Sequence, residues 1–449
     1  MSFPRYPAYK PSGVEWLGEV PEHWEVIRLK NVLGCRITDG PHTTPEFVDE
    51  GVPFLSVDAI QDGELIFDGC RHISRENHEE YKRKAWPVRN DILMGKAAST
   101  GKIARVKMDV EFSIWSPLAL IRIDGMRSSP TFYEQALKSK ASQAQIDVLC
   151  TSNTQKNISM DDIPRLIMTR PPLPEQEAIA TFLDRETAKI DALISEQQRL
   201  IELLQEKRQA VISHAVTKGL NPDAPMKDSG VEWLGEVPEH WDVAPLKHHW
   251  LVTDCKHVTA EFTQEGYPLA SIKEVQGRWV DLDQAKRTTE AFFKLLTEGK
   301  RTPEPGDLVF SRNATVGEVA EVPVNIESFA LGQDVVILKK LRITQSSSYT
   351  WSLLRSAPII NQLECAMIGS TFRRINVEQI KSLFIPVPPS QEQVSIGAHL
   401  DATSDQWAKQ EQDAQQCISF LQERRSALIS AAVTGQIDVR GLVPEAEAA

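Results

Sequence analysis

Two stretches of the chain repeat apolar residues at heptad spacing. The first runs from about Pro174 to Thr217 without an internal Pro or Gly, and its apolar row is Leu183, Ile190, Leu204 and Val211. The second stretch carries the row Leu400, Trp407, Ala414, Leu421 and Leu428. An apolar seam at this spacing is typical of paired helices, so we expect two rods of roughly 60 Å that form a coiled coil. Two surface helices on separate domains are the alternative.

Each helical stretch follows a block with a different pattern. Short apolar runs punctuated by Gly, Pro and Asp predict strands, such as VPFLSV and FSIWSPLALIRI in the first block and DLVF and DVVILKKL in the second. A short amphipathic run, TFYEQALKS or SYTWSLLRSA, predicts one helix late in each block. The pattern therefore predicts an α+β fold with mixed α/β blocks.

The two blocks and helices are copies of one unit. The thirteen residues SGVEWLGEVPEHW occur at 12–24 and again at 229–241, an offset of 217 residues. At nearly the same offset, PPLPEQEAIATFLD resembles VPPSQEQVSIGAHLD, and LLQEKRQAVISHAVT resembles FLQERRSALISAAVT. The tryptophans of the identical segment favour core or interface packing over base stacking. A duplicated chain of this kind is expected to meet a partner that also has two related halves.

The repeat predicts two pseudo-symmetric mixed α/β domains joined by two long antiparallel coiled-coil helices. We place the domains at residues 1–170 and 229–387 and the helices at 171–218 and 388–436. A Pro/Gly/Asn linker at 219–228 and a tail at 437–449 complete the division.

Composition narrows the class of protein. Six cysteines without metal-ligand spacing, no apolar stretch of roughly 18 residues and no secretory leader predict a soluble, cytoplasmic protein. The net charge of −12 argues against a lone, non-specific DNA binder, because phosphate contacts need a basic surface. It remains compatible with a chain that recognises bases through a few loops while partners hold the DNA backbone.

Catalytic motifs are near misses. The segment from Gly95 resembles a phosphate-binding loop, but Ile103 stands where a Mg²⁺-binding Ser or Thr is needed. The NPDAP segment at Asn221 lacks the pattern with which amino-methyltransferases hold a flipped base, and the ExK pattern at Glu80 lies in a highly charged stretch. The sequence predicts no catalytic residue, no metal site and no cofactor bound by this chain.

Three pairs of segments carry side chains suited to DNA. We call residues 37–47 and 252–262 the Asp loops, and residues 96–102 and 311–317 the basic turns. Their candidate DNA-binding residues are Asp39, Gly40, His42, Thr43, Thr44, Lys96, Ser99, Thr100 and Lys102 in the first copy, and Lys256, His257, Thr259, Ser311, Arg312, Asn313 and Thr315 in the second. The pairs Gln155–Lys156 and Arg373–Arg374 are candidate phosphate clamps. Turns that satisfy their own backbone, polar hairpins and solvated pairs are the alternatives.

The whole pattern resembles the specificity subunit of a type I restriction–modification enzyme. The resemblance rests on PPLPEQEAIATFLD at Pro171, the helix end from Gln422, the repeated WLGEVPEHW segment and the DGPHTTP loop at Asp39. The second copy departs from it, with SQEQ at Ser390 and CKHVTA at Cys255, which puts direct transfer of base contacts to that copy in doubt.

The resemblance implies a non-catalytic DNA reader. Each block would be a target recognition domain for one half of a bipartite, asymmetric sequence in double-stranded DNA, and the paired helices would set the spacer. Two modification subunits would bring S-adenosylmethionine for adenine methylation, and two motor–nuclease subunits would bring ATP and Mg²⁺ for restriction. The helix residues Leu183, Ile190, Leu204, Val211, Leu400, Trp407, Leu421 and Leu428 are the candidate subunit-interface residues.

Two other classes stay open. One is a self-contained methyltransferase–specificity fusion, which S-adenosylmethionine binding by the isolated chain would reveal. The other is a protein–protein adaptor with a coiled-coil spacer and no role on DNA. Sequence-specific DNA binding that depends on a partner separates the adaptor from the DNA reader.

Overall fold

The computed structural model describes residues 3–150, 156–367 and 374–442. The chain forms two compact units, of which the first comprises residues 1–197 and 416–449 and the second residues 198–415. Each unit contains one mixed block together with half of each long helix. The domain boundaries given above, which separate the blocks from the helices, stay a prediction.

The first unit holds a block of strands followed by helices. Its strands are β1 (Tyr9–Pro11), β2 (Glu19–Pro21), β3 (Glu25–Arg28), β4 (Thr38–Asp39), β5 (Phe47–Val48), β6 (Val52–Leu55), β7 (Ile60–Gln61), β8 (Glu64–Leu65), β9 (Arg71–Ile73), β10 (Ile92–Gly95), β11 (Ile103–Arg105), β12 (Ser113–Ile114), β13 (Leu118–Ile121) and β14 (Ile167–Arg170). Its helices are α1 (Arg75–Lys82), α2 (Pro130–Lys138), α3 (Lys140–Leu149) and the start of α4 (Leu173–Lys218), which has 46 residues.

The second unit repeats this plan. Its strands are β15 (Met226–Asp228), β16 (Glu236–Pro238), β17 (Asp242–Pro245), β18 (Trp250–Asp254), β19 (Phe262–Thr263), β20 (Tyr267–Ala270), β21 (Lys286–Thr288), β22 (Leu308–Ser311), β23 (Val319–Glu321), β24 (Ala330–Leu331), β25 (Val335–Lys340) and β26 (Phe384–Val387). Its helices are α5 (Glu290–Thr297), α6 (Ser347–Leu354), α7 (Ala357–Met367), α8 (Val377–Lys381) and the start of the 44-residue α9 (Ser390–Val433).

The two blocks have the same strand order in their two four-stranded sheets. In the first unit one four-stranded sheet has the order β4-β13-β10-β11, and the second unit has β18-β25-β22-β23 in the same places. A second sheet has the order β12-β6-β9-β5 in the first unit and β24-β20-β21-β19 in the second, with a parallel outer pair in both. The α+β fold predicted from the sequence is confirmed.

The buried strands explain why this sheet forms. All four residues of β10 and all four of β22 are buried, and both strands are central in their sheets. Strands buried on both faces are apolar throughout, which matches the ILM and LVF runs. A carboxylate before each strand is paired: Asp91 with Arg122 at 2.7 Å in the first unit, and Asp307 with Lys339 at 2.7 Å in the second.

A latch ties the repeated segment to the start of the long helix in the first unit. The buried Glu175, in the first turn of α4, accepts hydrogen bonds from Tyr6 Oη at 2.6 Å and Trp24 Nε1 at 3.0 Å. His23 Nε2 lies 2.8 Å from its other oxygen. Burial and the Glu175 carboxylate raise the pKa of the Tyr6 phenol well above its ordinary value, so this hydroxyl remains a donor. The EQ motif and the WLGEVPEHW segment therefore fold as one structure.

The second unit repeats the tryptophan and histidine contacts of the latch. Trp241 Nε1 donates to Glu392 at 2.9 Å, and His240 Nε2 lies 2.6 Å from the same carboxylate. The following glutamine is also equivalent, because Gln393 accepts from the Ser346 amide as Gln176 accepts from Ser129. The SQEQ departure in the second copy thus leaves the two side chains that matter to the latch in place.

In each unit the start of one long helix packs with the end of the other. The first-unit core combines Leu183 and Ile190 of α4 with Leu428 of α9, and Asp191 pairs with Arg425 at 2.8 Å. In the second unit Ile212 of α4 shares a core with Leu400 of α9, and Arg208 donates to Ser404 at 3.0 Å. This is the packing of antiparallel helices.

Over the described ranges, no helix is both long and apolar enough to cross a membrane.

Candidate nucleic-acid interface

The first Asp loop and the first basic turn meet at a buried carboxylate. Asp39, the last residue of β4, accepts hydrogen bonds from Lys84 and from Lys96, each at 2.6 Å. His42 Nε2 lies 3.2 Å from the same carboxylate. Burial opposes ionisation of Asp39, but the hydrogen bonds and charges of the two lysines outweigh it, so its pKa is below the ordinary value. The residues predicted separately in the two segments are thus brought together.

Gly40 is required where the Asp loop leaves the sheet. A Cβ atom at this position would lie 1.8 Å from the carbonyl oxygen of Ile114, a backbone atom that cannot move without shifting β12. The close approach keeps the loop against the sheet, so that the exposed residues His42, Thr43 and Thr44 project from its far end. His42 is also held by Ser116, whose hydroxyl oxygen lies 3.0 Å from Nδ1.

The first basic turn is a strained hairpin. Ala98 has a positive φ of 63°, which is uncommon for a residue with a side chain. The Lys96 carbonyl accepts from the Ile158 amide at 2.9 Å, and the Thr100 hydroxyl donates to the Lys156 carbonyl at 2.6 Å. These bonds place Lys156, which is exposed, beside the turn. The Lys156 ammonium itself pairs with Asp147.

The second unit builds the same cluster with different groups. His257 Nε2 lies 3.1 Å from Asp254, and the buried Arg312 Nε lies 3.6 Å from the same carboxylate. Arg312 also lies 3.2 Å from His257 Nε2 and donates to the Gln333 carbonyl at 3.2 Å. Because its guanidinium is buried among these groups, Arg312 holds the Asp loop in this arrangement.

The second basic turn matches the first in backbone. Ala314 takes the place of Ala98, with a positive φ of 57°, and the Arg312 carbonyl accepts from the Ile375 amide at 3.0 Å. Asn313 donates to Asp334 at 3.1 Å and forms a backbone bridge with Arg374. The equivalent bridge in the first unit joins Ala97 and Asn157. Strain at the same alanine in both copies indicates that the turn geometry itself is retained.

The predicted DNA-binding residues divide by exposure. Those with exposed side chains at the loop ends are His42, Thr43, Thr44, Lys102, Lys156, His257, Thr259, Thr315 and Arg374. Those partly exposed are Lys96, Ser99, Thr100, Lys256 and Asn313. Those buried are Asp39, Gly40, Ser311 and Arg312. Ser311 donates to the Asn313 carbonyl at 3.2 Å and so braces its own turn. Gln155 and Arg373 lie outside the described residues.

The predicted helix residues also differ in exposure. Leu183, Ile190, Leu400, Trp407 and Leu428 are buried, and all of these except Trp407 lie in the core cluster of their unit. Leu204, Val211 and Leu421 are partly buried, and the latter two pack against the unit cores. The seam therefore contributes to the core of each unit.

Two further basic positions were not identified from the sequence. Lys84 follows α1 and donates to Asp39 of the first Asp loop. Arg301 follows α5 and donates to the Asp254 carbonyl of the second Asp loop at 2.8 Å. Arg71 lies over the Phe47 ring at 4.7 Å, and Lys286 lies over Phe262 at 4.4 Å. Each Phe ends its Asp loop, so the shared EF of the two loops was the available signal. Phe262 is half exposed, which leaves this cation–π pair accessible.

One cluster has the donor atoms of a metal site. Asp254, Cys255 and His257 each place a donor atom within 4.8 Å of the others. However, burial and Asp254 raise the pKa of the Cys255 thiol to about 11, and Arg312 brings a positive charge to the same carboxylate. A metal needs the thiolate, so these residues fit a metal poorly. A second group, His78, Glu79 and Glu111, surrounds a carboxylate already paired with Arg75 and Lys82.

The comparisons with known proteins agree with this geometry. A family model for the type I restriction modification DNA specificity domain matches residues 21–204 and 257–416. The chain is 24% identical over 433 residues to the MjaX type I restriction enzyme specificity subunit of Methanocaldococcus jannaschii, covering 94% of this chain and 96% of that protein. It is 24% identical over 392 residues to the EcoKI specificity subunit of Escherichia coli, covering 84% and 82%.

Solved structures share the fold. A chain from a type I R-M system has a TM-score of 0.66 at 17% identity, over 92% of this chain and 98% of that chain. The HsdS subunit of Thermoanaerobacter tengcongensis has a TM-score of 0.54 at 16% identity, over 93% and 98%. The family match covers well over half of the chain, in both copies of the repeat. The resemblance found in the sequence is therefore confirmed, and the chain belongs to the specificity subunits of type I restriction–modification enzymes.

Proposed function

We propose that each block recognises one half of a bipartite, asymmetric DNA target. The observation that carries this is the cluster of an aspartate, a histidine and a basic residue, built at the same place in both blocks. Around this common core the loop residues differ: the partly exposed Pro41 and the exposed Thr43 of the first Asp loop correspond to Lys256 and Val258 of the second. Two different half-sites require different side chains on the same supporting cluster, because hydrogen-bonding groups and methyl contacts discriminate base edges.

The chain itself carries out no catalysis in this proposal. It directs adenine methylation by two modification subunits, which bring S-adenosylmethionine, and restriction by two motor–nuclease subunits, which bring ATP and Mg²⁺. The long helices fix the spacer between the half-sites and dock the modification subunits. The complex acts on double-stranded DNA in the cytoplasm.

The charge of the chain supports DNA binding in which partner subunits supply part of the phosphate contacts. With a net charge of −12, the chain alone has little long-range attraction for phosphates. The basic groups that approach the loop ends are few, and several are neutralised within the chain, as Lys96 is by Asp39. Partner subunits would supply most of the backbone contacts, while the loops supply base recognition.

Methylation mapping in cells tests the proposal. Cells that carry the chain with its cognate modification subunit should gain one split, asymmetric motif with N6-methyladenine in each half. Exchanging residues 25–165 for the block of another family member should change one half-site and leave the other unchanged. The matched control returns the original block. A correctly assembled complex that adds no motif, or an exchange that alters both halves, would refute the proposal.

A further inference from the structure

The identical thirteen-residue segments have identical burial in the two units. Leu17, Val20, Pro21 and Trp24 are buried in the first copy, and their counterparts in the second copy are buried as well. The remaining positions have the same class of exposure in both copies, residue by residue. Core packing explains why the buried positions are the same, because each must fill the same space.

Other identities have local explanations. Gly13 and Gly18 have positive φ angles of 76° and 63°, and Gly230 and Gly235 repeat them at 70° and 61°. A side chain at these positions would be strained, so glycine is required. The histidine of each segment pairs with the latch glutamate. These identities follow from the fold alone.

Four identical positions have no such explanation. Glu15, Trp16, Glu19 and Glu22 are exposed, and so are Glu232, Trp233, Glu236 and Glu239. None of these side chains has a hydrogen bond, an ion pair or a ring contact with another described residue. Trp16 is 43% exposed and Trp233 is 37% exposed. We call each set a Trp–Glu patch.

The surroundings of the two patches differ. Trp16 lines a groove of about 520 Å³ with Arg5 and Tyr9. Trp233 lines a groove of about 290 Å³ with Leu383 and the exposed Phe384. The patch itself is therefore the constant feature, and a ligand common to both units must contact the indole and the carboxylates.

The chemistry of the patch indicates a protein partner. Tryptophan is enriched among the residues that dominate binding energy at protein interfaces. The carboxylates of the patch, of which Glu15 and Glu19 line the first groove together with Trp16, repel DNA phosphates and favour a surface that carries Lys or Arg around an apolar pocket. Two identical patches, one in each copy of the repeat, fit two copies of one partner.

We infer that the Trp–Glu patches are docking points for the two modification subunits, one at each patch. This inference rests on the proposed function and adds to it a surface outside the long helices. Each modification subunit would insert Trp16 or Trp233 into an apolar pocket with a basic rim. The unequal grooves would give the two sites unequal affinities.

Binding of the purified modification subunit to the full chain tests the inference. Native mass spectrometry should find two modification subunits on the wild-type chain. Trp16→Ala and Trp233→Ala should each weaken one site, with at least a tenfold rise in Kd measured by calorimetry, and the double variant should weaken both. Glu15→Lys with Glu19→Lys should act in the same direction at the first site, and this variant decides the test if Trp16→Ala does not fold.

Matched controls come from exposed tryptophans outside the segments. Trp86 and Trp279 are 49% and 48% exposed, so Trp86→Ala and Trp279→Ala remove a similar surface and should leave both Kd values unchanged. Unchanged binding by the Trp16/Trp233 double variant overturns the inference and leaves the proposed function standing. Equal losses in the control variants also overturn it. A wild-type chain that binds no modification subunit overturns both.

Discussion

The two units agree closely at the latch and much less at the loop ends. The latch has a tryptophan, a histidine and a glutamate in both units, with distances that differ by no more than 0.2 Å. At the loop ends the aspartate, the histidine and one threonine (Thr44, Thr259) are the same, while lysine is replaced by arginine and glycine by cysteine. The comparison separates residues that hold the block to the helix from residues that, in the proposed function, vary with the DNA half-site.

Gly40 and Cys255 occupy the same position in the two Asp loops and show this difference. In the first unit the carbonyl of Ile114 occupies the space that a side chain at position 40 would need. In the second unit Cys255 fits, because its thiol donates to the Gln333 carbonyl at 2.8 Å. A side chain is therefore accommodated at this position in one loop and not in the other, although the sheet order is the same.

The largest expected effect is on the latch, where the two units also differ in burial. The Glu175 side chain is 6% exposed, and Glu392 is 42% exposed. Glu175→Ala leaves the buried Trp24 N–H and Tyr6 O–H without an acceptor, which should lower the free energy of unfolding of the first unit by about 3 kcal/mol. Glu392→Ala should cost about 1 kcal/mol in the second unit. Urea unfolding followed by tryptophan fluorescence measures both.

The conservative replacements Glu175→Gln and Glu392→Gln serve as controls. A glutamine side chain keeps one acceptor oxygen, so it should recover part of the loss at Glu175. Equal losses for the two alanine variants would mean that burial does not separate the two latches, and would contradict this account.

The second expected effect is on DNA binding by the Asp loops. Asp39→Asn releases Lys84 and Lys96 from a carboxylate, so binding to non-specific DNA should tighten and depend more steeply on salt, by about one unit of slope. Discrimination at one half-site should fall about tenfold, because the loop loses its anchor. Asp254→Asn should change the slope less, since Arg312 stays buried against His257 and the Gln333 carbonyl.

Fluorescence anisotropy of the complex with its modification subunits, over a series of salt concentrations, measures these slopes. The pKa of Asp39 is below its ordinary value, so the cluster is present at neutral pH and is lost only as the pH falls through that lowered pKa. Identical slopes for the wild type and Asp39→Asn would show that the two lysines do not reach phosphates. Thr43→Ala, at the exposed end of the same loop, is a control that leaves charge unchanged.

Much of the fold could be predicted from the sequence. The exact repeat and the heptad rows predicted two similar blocks and two long helices, because such patterns act over short distances and are visible in one dimension. The sequence also identified the Asp loops and the basic turns. It did not predict that they share a carboxylate, because Asp39 and Lys96 are 57 residues apart and only the order of β4, β13 and β10 brings them together.

The roles of single basic residues could not be predicted for a related reason. Arg312 lies in a turn rich in polar residues and was expected to contact bases, yet its guanidinium is buried against the Asp loop. Lys84 lies in a charged stretch, NHEEYKRK, that is typical of a solvated helix face. Burial depends on neighbouring segments, so residue type alone does not distinguish an anchor from a contact residue.

The smallest expected effect concerns the thiol that replaces glycine in the second Asp loop. Burial, and then the charge of Asp254, raises the pKa of Cys255 to about 11, so at pH 8 only ~0.1% of it is thiolate. Cys35 and Cys365 are exposed and should react with iodoacetamide at ordinary rates. Mass spectrometry of the alkylated chain should therefore find Cys255 modified at least about a hundredfold more slowly.

Because alkylation requires the thiolate, raising the pH towards 10 should increase the Cys255 rate about tenfold per pH unit, while the rate of an ordinary thiol levels off. Rapid modification of Cys255 at pH 8 would mean that the second Asp loop opens and exposes the thiol that Gly40 replaces in the first loop.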